Sequence, residues 1–127
     1  MFLEHVNLTV RDLDRSIDYY CKLLGLQVRW EGKALSERGT VRAAHVGGER
    51  CYLALFEAEE PERAVSDYGH AGMNHFGLVV ADLQATRERA VALGTPPHLD
   101  ADYEPGKRFY ICDPDGIELE LVESPQP

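Results

Sequence analysis

Apolar and polar residues alternate from Glu4 to Val10: Val6, Leu8 and Val10 share one face, and His5, Asn7 and Thr9 share the other. That is the period of a strand with one buried face. Asp12 or Asp14 then supplies a helix N-cap, Ile17, Tyr20, Cys21 and Leu24 recur at helical spacing, and Gly25 marks the stop. The pattern predicts further strands over 26–30, 41–46 and 50–57, with a polar loop over 33–39 and a hairpin turn at Gly47-Gly48. Within 50–57, Leu53 and Leu55 face one way, and Tyr52, Ala54 and Phe56 the other. A second series follows. In 73–80, Phe76, Leu78 and Val80 stand opposite His75, Gly77 and Val79; Asp82 caps a helix running to Leu93, and Gly94 ends it. The stretch 96–107 holds His98, Tyr103 and Pro105-Gly106 and reads as a long loop of the kind that can cover a site. A strand over 108–112 leads into the turn Asp113-Pro114-Asp115-Gly116 and a closing strand over 117–122. There Ile117, Leu119 and Leu121 face a core, and Glu118 and Glu120 face away from it. A type I turn with Pro114 second and Gly116 left-handed pairs Asp113 with Ile117, which sets Tyr110 opposite Glu120. Glu118, nearer the turn, reads as a solvated rim charge, and 124–127 as a loose tail.

The two series are one pattern used twice. Residues 5–13 and 75–83 are identical at five of nine positions, and each is followed by a helix ending in Leu-Gly. Residues 52–57 lie on 118–123, so Ala54 stands where the second half has Glu120. The repeat unit is βαβββ, first over 1–57 and again over 73–123, with 58–72 as an acidic, breaker-rich linker. One such unit leaves a sheet face uncovered, so two pair in an α+β fold. Pseudo-twofold pairing is expected to line a shared cleft with the polar faces and to bring His5 and His75 together.

Composition narrows the partners. A chain of 127 residues, 44% hydrophobic, suits one domain with a real core. Its formal charge of −9 argues against nucleic acid and against an anionic membrane surface. Cys21, Cys51 and Cys112 are too few and scattered for a disulfide framework and read as small hydrophobes in a reducing compartment. Neither a signal peptide nor a membrane-spanning run is visible, so the expected location is cytoplasmic.

Three motifs carry a resemblance: His5-x-x-Leu-x-Val-x-Asp-Leu, Asn74-His75-x-x-Leu-x-Val-x-Asp-Leu, and Asp113-Pro114-Asp115-Gly116-Ile-Glu-Leu-Glu120. Together they make the chain similar, over nearly its whole length, to the vicinal-oxygen-chelate superfamily of glyoxalases, bleomycin-resistance proteins and extradiol dioxygenases. The resemblance implies two βαβββ modules around a U-shaped metal cleft, a homodimer, and a divalent metal held by His5, His75 and Glu120. Two imidazoles and a carboxylate on one side of an ion form a facial triad with positions open to a substrate. Fe2+ or Mn2+ comes first for such a site, with Zn2+, Ni2+ or Co2+ behind. The implied substrate is a small molecule that chelates through vicinal oxygens, and the implied chemistry is dioxygenase-like or of the glyoxalase, lyase or isomerase kind. Ala54 occupies the place of the fourth ligand of glyoxalase I, and a methyl group cannot coordinate. Extradiol dioxygenases commonly carry two such paired-module domains, and fosfomycin-modifying enzymes run on past the glutamate strand, so neither subfamily fits cleanly. The alternative is a non-catalytic protein that sequesters an antibiotic, as in the bleomycin-resistance branch.

Other residues qualify by position. Tyr110, opposite Glu120, places a phenol where it could hydrogen-bond a metal-bound substrate oxygen. Asn7 and Thr9 share the polar face with His5, Tyr52 and Phe56 offer a wall to an aromatic substrate, and Arg108, beside Lys107, could meet a substrate carboxylate. His45, His70 and His98 are candidate general bases, and the sequence does not choose among them.

Overall fold

A computed structural model describes residues 1–62, 68–103 and 106–123. Part of the linker (63–67), residues 104–105 of the long loop and the tail 124–127 lie outside them. The elements run β1 (His5–Val10), α1 (Leu13–Leu24), β2 (Gln27–Ser36), β3 (Gly39–Gly47), β4 (Tyr52–Glu57), β5 (Phe76–Val80), α2 (Leu83–Ala92), β6 (Leu99–Tyr103), β7 (Gly106–Cys112) and β8 (Glu118–Glu123). The chain divides into two units, Met1–Glu62 and Arg63–Pro127. Among the described residues each contains one helix and one four-stranded sheet, ordered β1-β4-β3-β2 and β5-β8-β7-β6. In both, the first strand lies parallel to the last and the remaining pairs are antiparallel. The βαβββ repeat read from the residues is therefore repeated topology, and the fold is α+β.

The first helix starts where its cap requires. The Asp12 side chain accepts from the Arg15 N–H at 3.1 Å, and Gly25 ends the helix at φ 66°, the left-handed conformation glycine adopts without strain. Leu13, Tyr20 and Leu23 of α1 are buried, as are Leu8 and Val10 of β1, Val46 of β3, and Leu53 and Leu55 of β4. Helix α1 lies against β2, β3 and β4. In the second unit the Asp82 side chain accepts from the Ala85 N–H at 2.9 Å. Buried apolar residues there include Phe76 of β5, Leu83 and Ala90 of α2, Phe109 and Ile111 of β7, and Leu119 and Leu121 of β8, and Thr86 of α2 is buried with them. Thr86 is satisfied inside by donating to the Asp82 carbonyl at 2.8 Å.

Three expectations about elements need correction. Residues 33–36 are strand, not loop: β2 runs to Ser36 and pairs with β3 up to Ser36–Gly39. Within the expected loop over 96–107, residues 99–103 and 106–107 are strand: β6 pairs with β7 from Leu99–Tyr110 to Tyr103–Gly106. The 33–36 segment has no alternation to read, and the alternation of β6, Leu99, Ala101 and Tyr103 against Asp100 and Asp102, is only five residues long and set among the prolines at 96, 97 and 105, which signal a loop. Finally, β5 begins at Phe76, so His75 immediately precedes the strand. The turn between β3 and β4 falls at the Gly-Gly pair: Gly48 N–H donates to the Cys51 carbonyl at 3.1 Å, and a Cβ on Gly47 would come within 2.4 Å of that same oxygen. No helix among the described residues is long and apolar enough to cross a membrane.

Candidate functional site

The site in the second unit is set by its last turn. Asp113 is buried, its N–H donates to the Ile117 carbonyl at 2.8 Å, and its carbonyl accepts from Gly116 at 2.9 Å. Its side-chain Oδ1 accepts from the N–H groups of Asp115 (2.9 Å) and Ile117 (2.8 Å), while Gly116 takes φ 86°. This three-residue loop fixes the β7–β8 register with Tyr110 opposite Glu120, as the turn residues predict. On the other side of β8, the parallel partner β5 pairs Phe76 with Leu119, which brings the preceding His75 against the Glu118–Glu120 face.

His75 Nε2 lies 3.0 Å from Glu120 Oε2. Arg108 Nη1 donates to the other oxygen, Glu120 Oε1, at 2.6 Å, and both side chains are only 11% exposed. Arg108, expected to meet substrate, is thus engaged with the candidate ligand carboxylate. Burial pushes the Glu120 carboxyl up, but the hydrogen bonds from Arg108 and His75 and their charges outweigh it and hold it below the usual carboxylate value. The Tyr110 ring meets the His75 imidazole edge-on, with centroids 5.4 Å apart.

Glu118 is not a rim charge. Its side chain is 11% exposed, and Oε1 accepts from the Tyr68 hydroxyl at 2.6 Å. Its Oε2 faces His98 Nε2 at 3.3 Å. The Tyr68 oxygen also lies 3.1 Å from His75 Nδ1. Tyr68 was missed by sequence reasoning because it stands in the linker with no periodicity to mark it. The adjacent glutamate pattern of β8 was the one signal available.

In the first unit His5 opens β1 with its Nδ1 2.9 Å from Glu4 Oε1 and its ring stacked on Tyr52 at 5.0 Å. Tyr52 in turn stacks on His45 at 4.3 Å, and His45 meets Trp30 at 4.9 Å. Burial pushes the His45 imidazole down, and the charges of His5 and Arg29 push the same way. Tyr52 donates to Glu4 Oε1 at 3.1 Å, so it belongs to this aromatic row. Asn7, Thr9 and Phe56 instead line a broad open concavity of about 1440 Å³ with Arg38, Arg42 and Glu57. Asn7 Nδ2 donates to the Ala54 carbonyl at 3.0 Å, and Ala54 itself is buried. His70 is exposed.

Among the described residues no group of three or more His, Cys, Asp or Glu side chains is set to hold an ion as it stands. In the second unit the geometry gives a reason. His75 turns Nε2 to Glu120 and Nδ1 towards Glu118, from opposite edges of the ring, and Arg108 occupies the outer oxygen of Glu120. The His75–Glu120 pair nonetheless fits a divalent ion. Bonds of about 2.1 Å at right angles put two donors about 3 Å apart, and the pair is 3.0 Å apart.

The doubled βαβββ fold is shared with known proteins. The chain belongs to the Glyoxalase/Bleomycin resistance protein/Dioxygenase superfamily, whose family model matches residues 2–121. It is 28% identical to the catechol-2,3-dioxygenase of Bacillus subtilis over 92% of its own length, but spans only 39% of that protein. It is also 28% identical to a probable lactoylglutathione lyase of Synechocystis, over 98% of this chain and 96% of the relative. Among solved structures, a glyoxylase/bleomycin resistance protein/dioxygenase domain from Frankia superposes with a TM-score of 0.79 at 24% identity, covering 98% of each chain, a likeness of fold. The two curated relatives are named as enzymes of different reaction classes.

Proposed function

We propose that the chain is a divalent-metal-dependent enzyme acting on a small molecule with two neighbouring oxygens. His75 and Glu120 are two of the ligands, and His5, the repeat counterpart of His75, is the third. The observation that carries this reading is the 3.0 Å approach of His75 Nε2 to Glu120 Oε2, the spacing of two adjacent ligands. When bound, an ion such as Fe2+ or Mn2+ supplies Lewis acidity to the paired oxygens of the substrate. Arg108 holds the Glu120 carboxylate from its outer oxygen and keeps Oε2 aimed at His75. Tyr110, directly opposite Glu120, offers its phenol to a substrate oxygen. Asn7, Thr9 and Phe56, which line the concavity of the first unit, and Tyr52, with its aromatic face, are the substrate-contact candidates of the first repeat. The protein acts as a homodimer.

The ligand set favours dioxygenase-like chemistry over the glyoxalase kind, because Ala54 removes a fourth ligand and leaves more open positions. Metal content of the purified protein tests the reading, measured for wild type, His75→Ala and Glu120→Ala after loading with Fe2+ or Mn2+. The expected outcome is near-stoichiometric metal in wild type and its loss in both variants. Oxygen uptake with catechols, set against formation of lactoylglutathione, then separates the two chemistries. A wild type that stays empty sinks the enzyme reading. A second reading would then stand: a protein that sequesters a small molecule without metal. The Arg108–Glu120 pair favours it, since the guanidinium satisfies the carboxylate with no ion present.

A further inference from the structure

We infer that Gly77 is a specificity-determining residue: the side chain it lacks leaves the β5 flank of the Glu120 carboxylate open, and the apolar body of the substrate lies there behind its two neighbouring oxygens. The inference rests on the proposed role of His75 and Glu120 and says on which side of them the substrate is held.

Glycine weakens a strand, because it loses the most backbone freedom on folding and brings no side chain to pack. Gly77 is nonetheless the second residue of the five-residue β5. Other glycines of the chain have a local reason. Gly25 and Gly116 take left-handed φ values of 66° and 86°, and a Cβ on Gly47 would run into the backbone at Cys51 and Tyr52. Gly77 is under neither constraint. Its φ lies outside the left-handed region, and the three atoms nearest to a Cβ there all belong to Glu120, at 3.7 to 3.9 Å, which is ordinary van der Waals distance. Strand β5 pairs with β8 without a register shift, so no bulge calls for glycine either. Val79, two places on, faces the same way and is 64% exposed, so the strand tolerates a side chain on this face. Among the described residues nothing in the fold requires glycine at 77, and the reason left to a glycine inside a strand is the close approach of a ligand.

The atom nearest to the missing side chain identifies the place. It is Glu120 Oε2, the oxygen that lies 3.0 Å from His75 Nε2. Glu120 sits on β8 between two neighbours, paired with Gly77 on one side and with Tyr110 on the other. The two flanks differ. On the β7 side Arg108 bonds Glu120 Oε1 at 2.6 Å and is only 11% exposed, so that oxygen is occupied. On the β5 side the backbone is bare and exposed at Gly77, and Val79 continues the same face with an apolar surface. An apolar body laid along this face covers Val79 and leaves no polar side chain of β5 beneath it unpaired. The first repeat shows the same position closed. Asn7 stands where Gly77 does, pairs with Ala54 and donates to its carbonyl at 3.0 Å, so there the side chain is present and the carboxylate is absent.

A purely structural role for the glycine, giving Glu120 room to lie over β5, predicts that any side chain at 77 displaces the carboxylate and weakens both the fold and metal binding. Three measurements on wild type, Gly77→Ala and Gly77→Val separate these cases. Urea unfolding of the metal-free protein reports stability. Titration calorimetry with Mn2+ and with Zn2+ reports metal affinity. Calorimetry of the Zn2+-loaded protein with acetohydroxamate and with benzohydroxamate reports access, since both chelate through two neighbouring oxygens and differ in the size of their apolar body. Gly77→Ala is expected to be at least as stable as wild type and to bind both ions equally well. Wild type should prefer benzohydroxamate; Gly77→Ala should weaken that probe by roughly 10-fold, the scale of one misplaced methylene, and Gly77→Val should remove the preference. Benzohydroxamate affinity that is unchanged in both variants overturns the inference and leaves the metal reading standing. So does a Gly77→Ala protein that loses stability or metal, because its single methyl meets only ordinary contacts. A wild type that binds neither ion sinks the inference and the metal reading together.

Discussion

Glu120 is held at both of its oxygens, by Arg108 at Oε1 and by His75 at Oε2, and removing it exposes what that arrangement contributes. Glu120→Ala deletes the anion facing the Arg108 guanidinium, which is 11% exposed. The metal-free protein should lose about 2 kcal/mol in urea unfolding. Adding Arg108→Met should restore most of it, because an apolar replacement of the whole pair leaves no charge to desolvate; a double variant as weak as the single one would contradict this. In the first unit the sensitive residue is His45. Its imidazole lies below the ordinary value of about 6.5, chiefly through burial. The unfolded chain therefore takes up a proton before the folded one does. The stability linked to His45 is complete above the unfolded pKa and is lost as pH falls through the lower folded pKa. Thermal unfolding followed from about pH 7 down to pH 5 should show a decline to which His45→Phe contributes nothing, so the variant's slope should be shallower. Equal slopes would show that His45 does not titrate differently in the two states.

At the scale of elements, the loop between β7 and β8 does the most to place the site. Asp113→Ala removes the acceptor of two main-chain N–H groups in a buried position and should cost about 2 kcal/mol. Gly116→Ala forces a side chain onto φ 86° and should cost about 1 kcal/mol. Both are readable by denaturant unfolding, and neither substitution touches a candidate ligand. This turn was fully legible in the residues, since Asp-Pro-Asp-Gly specifies its geometry locally and the Tyr110–Glu120 register follows by counting. The capped helices were legible for the same reason, with Asp12 and Asp82 each placed three residues before the N–H they accept. What escaped was non-local. Residues 33–36 are held by a ladder without alternation, and the short alternation of β6 is set among prolines that signal a loop. The partners of Glu118 and Arg108 depend on side chains 50 and 12 residues away, and no local pattern announces them.

Across the whole molecule the topology is duplicated and the chemistry is not. Ala54 stands where Glu120 does, Tyr52 where Glu118 does, and His45 where Tyr110 does, so one sheet presents a stacked aromatic row and the other a polar ligand cluster. The sheets also differ in how firmly their margins are held. Strand β4 pairs with β3 over Ala43–Gly47, whereas β2 and β3 continue outward as two strands from Lys33–Arg42 to Ser36–Gly39. A ribbon of two strands is marginal without a third or a packed face. Deuterium should accordingly enter the backbone of this arm well before it reaches Val46, Leu53 or Leu55, through a local opening that leaves the remaining ladder shut. Exchange followed by mass spectrometry would show the difference, and uniform protection would argue against it. A protease should find the same weakness, cutting first at Arg38 near the tip and leaving the two fragments clasped by the strands behind it.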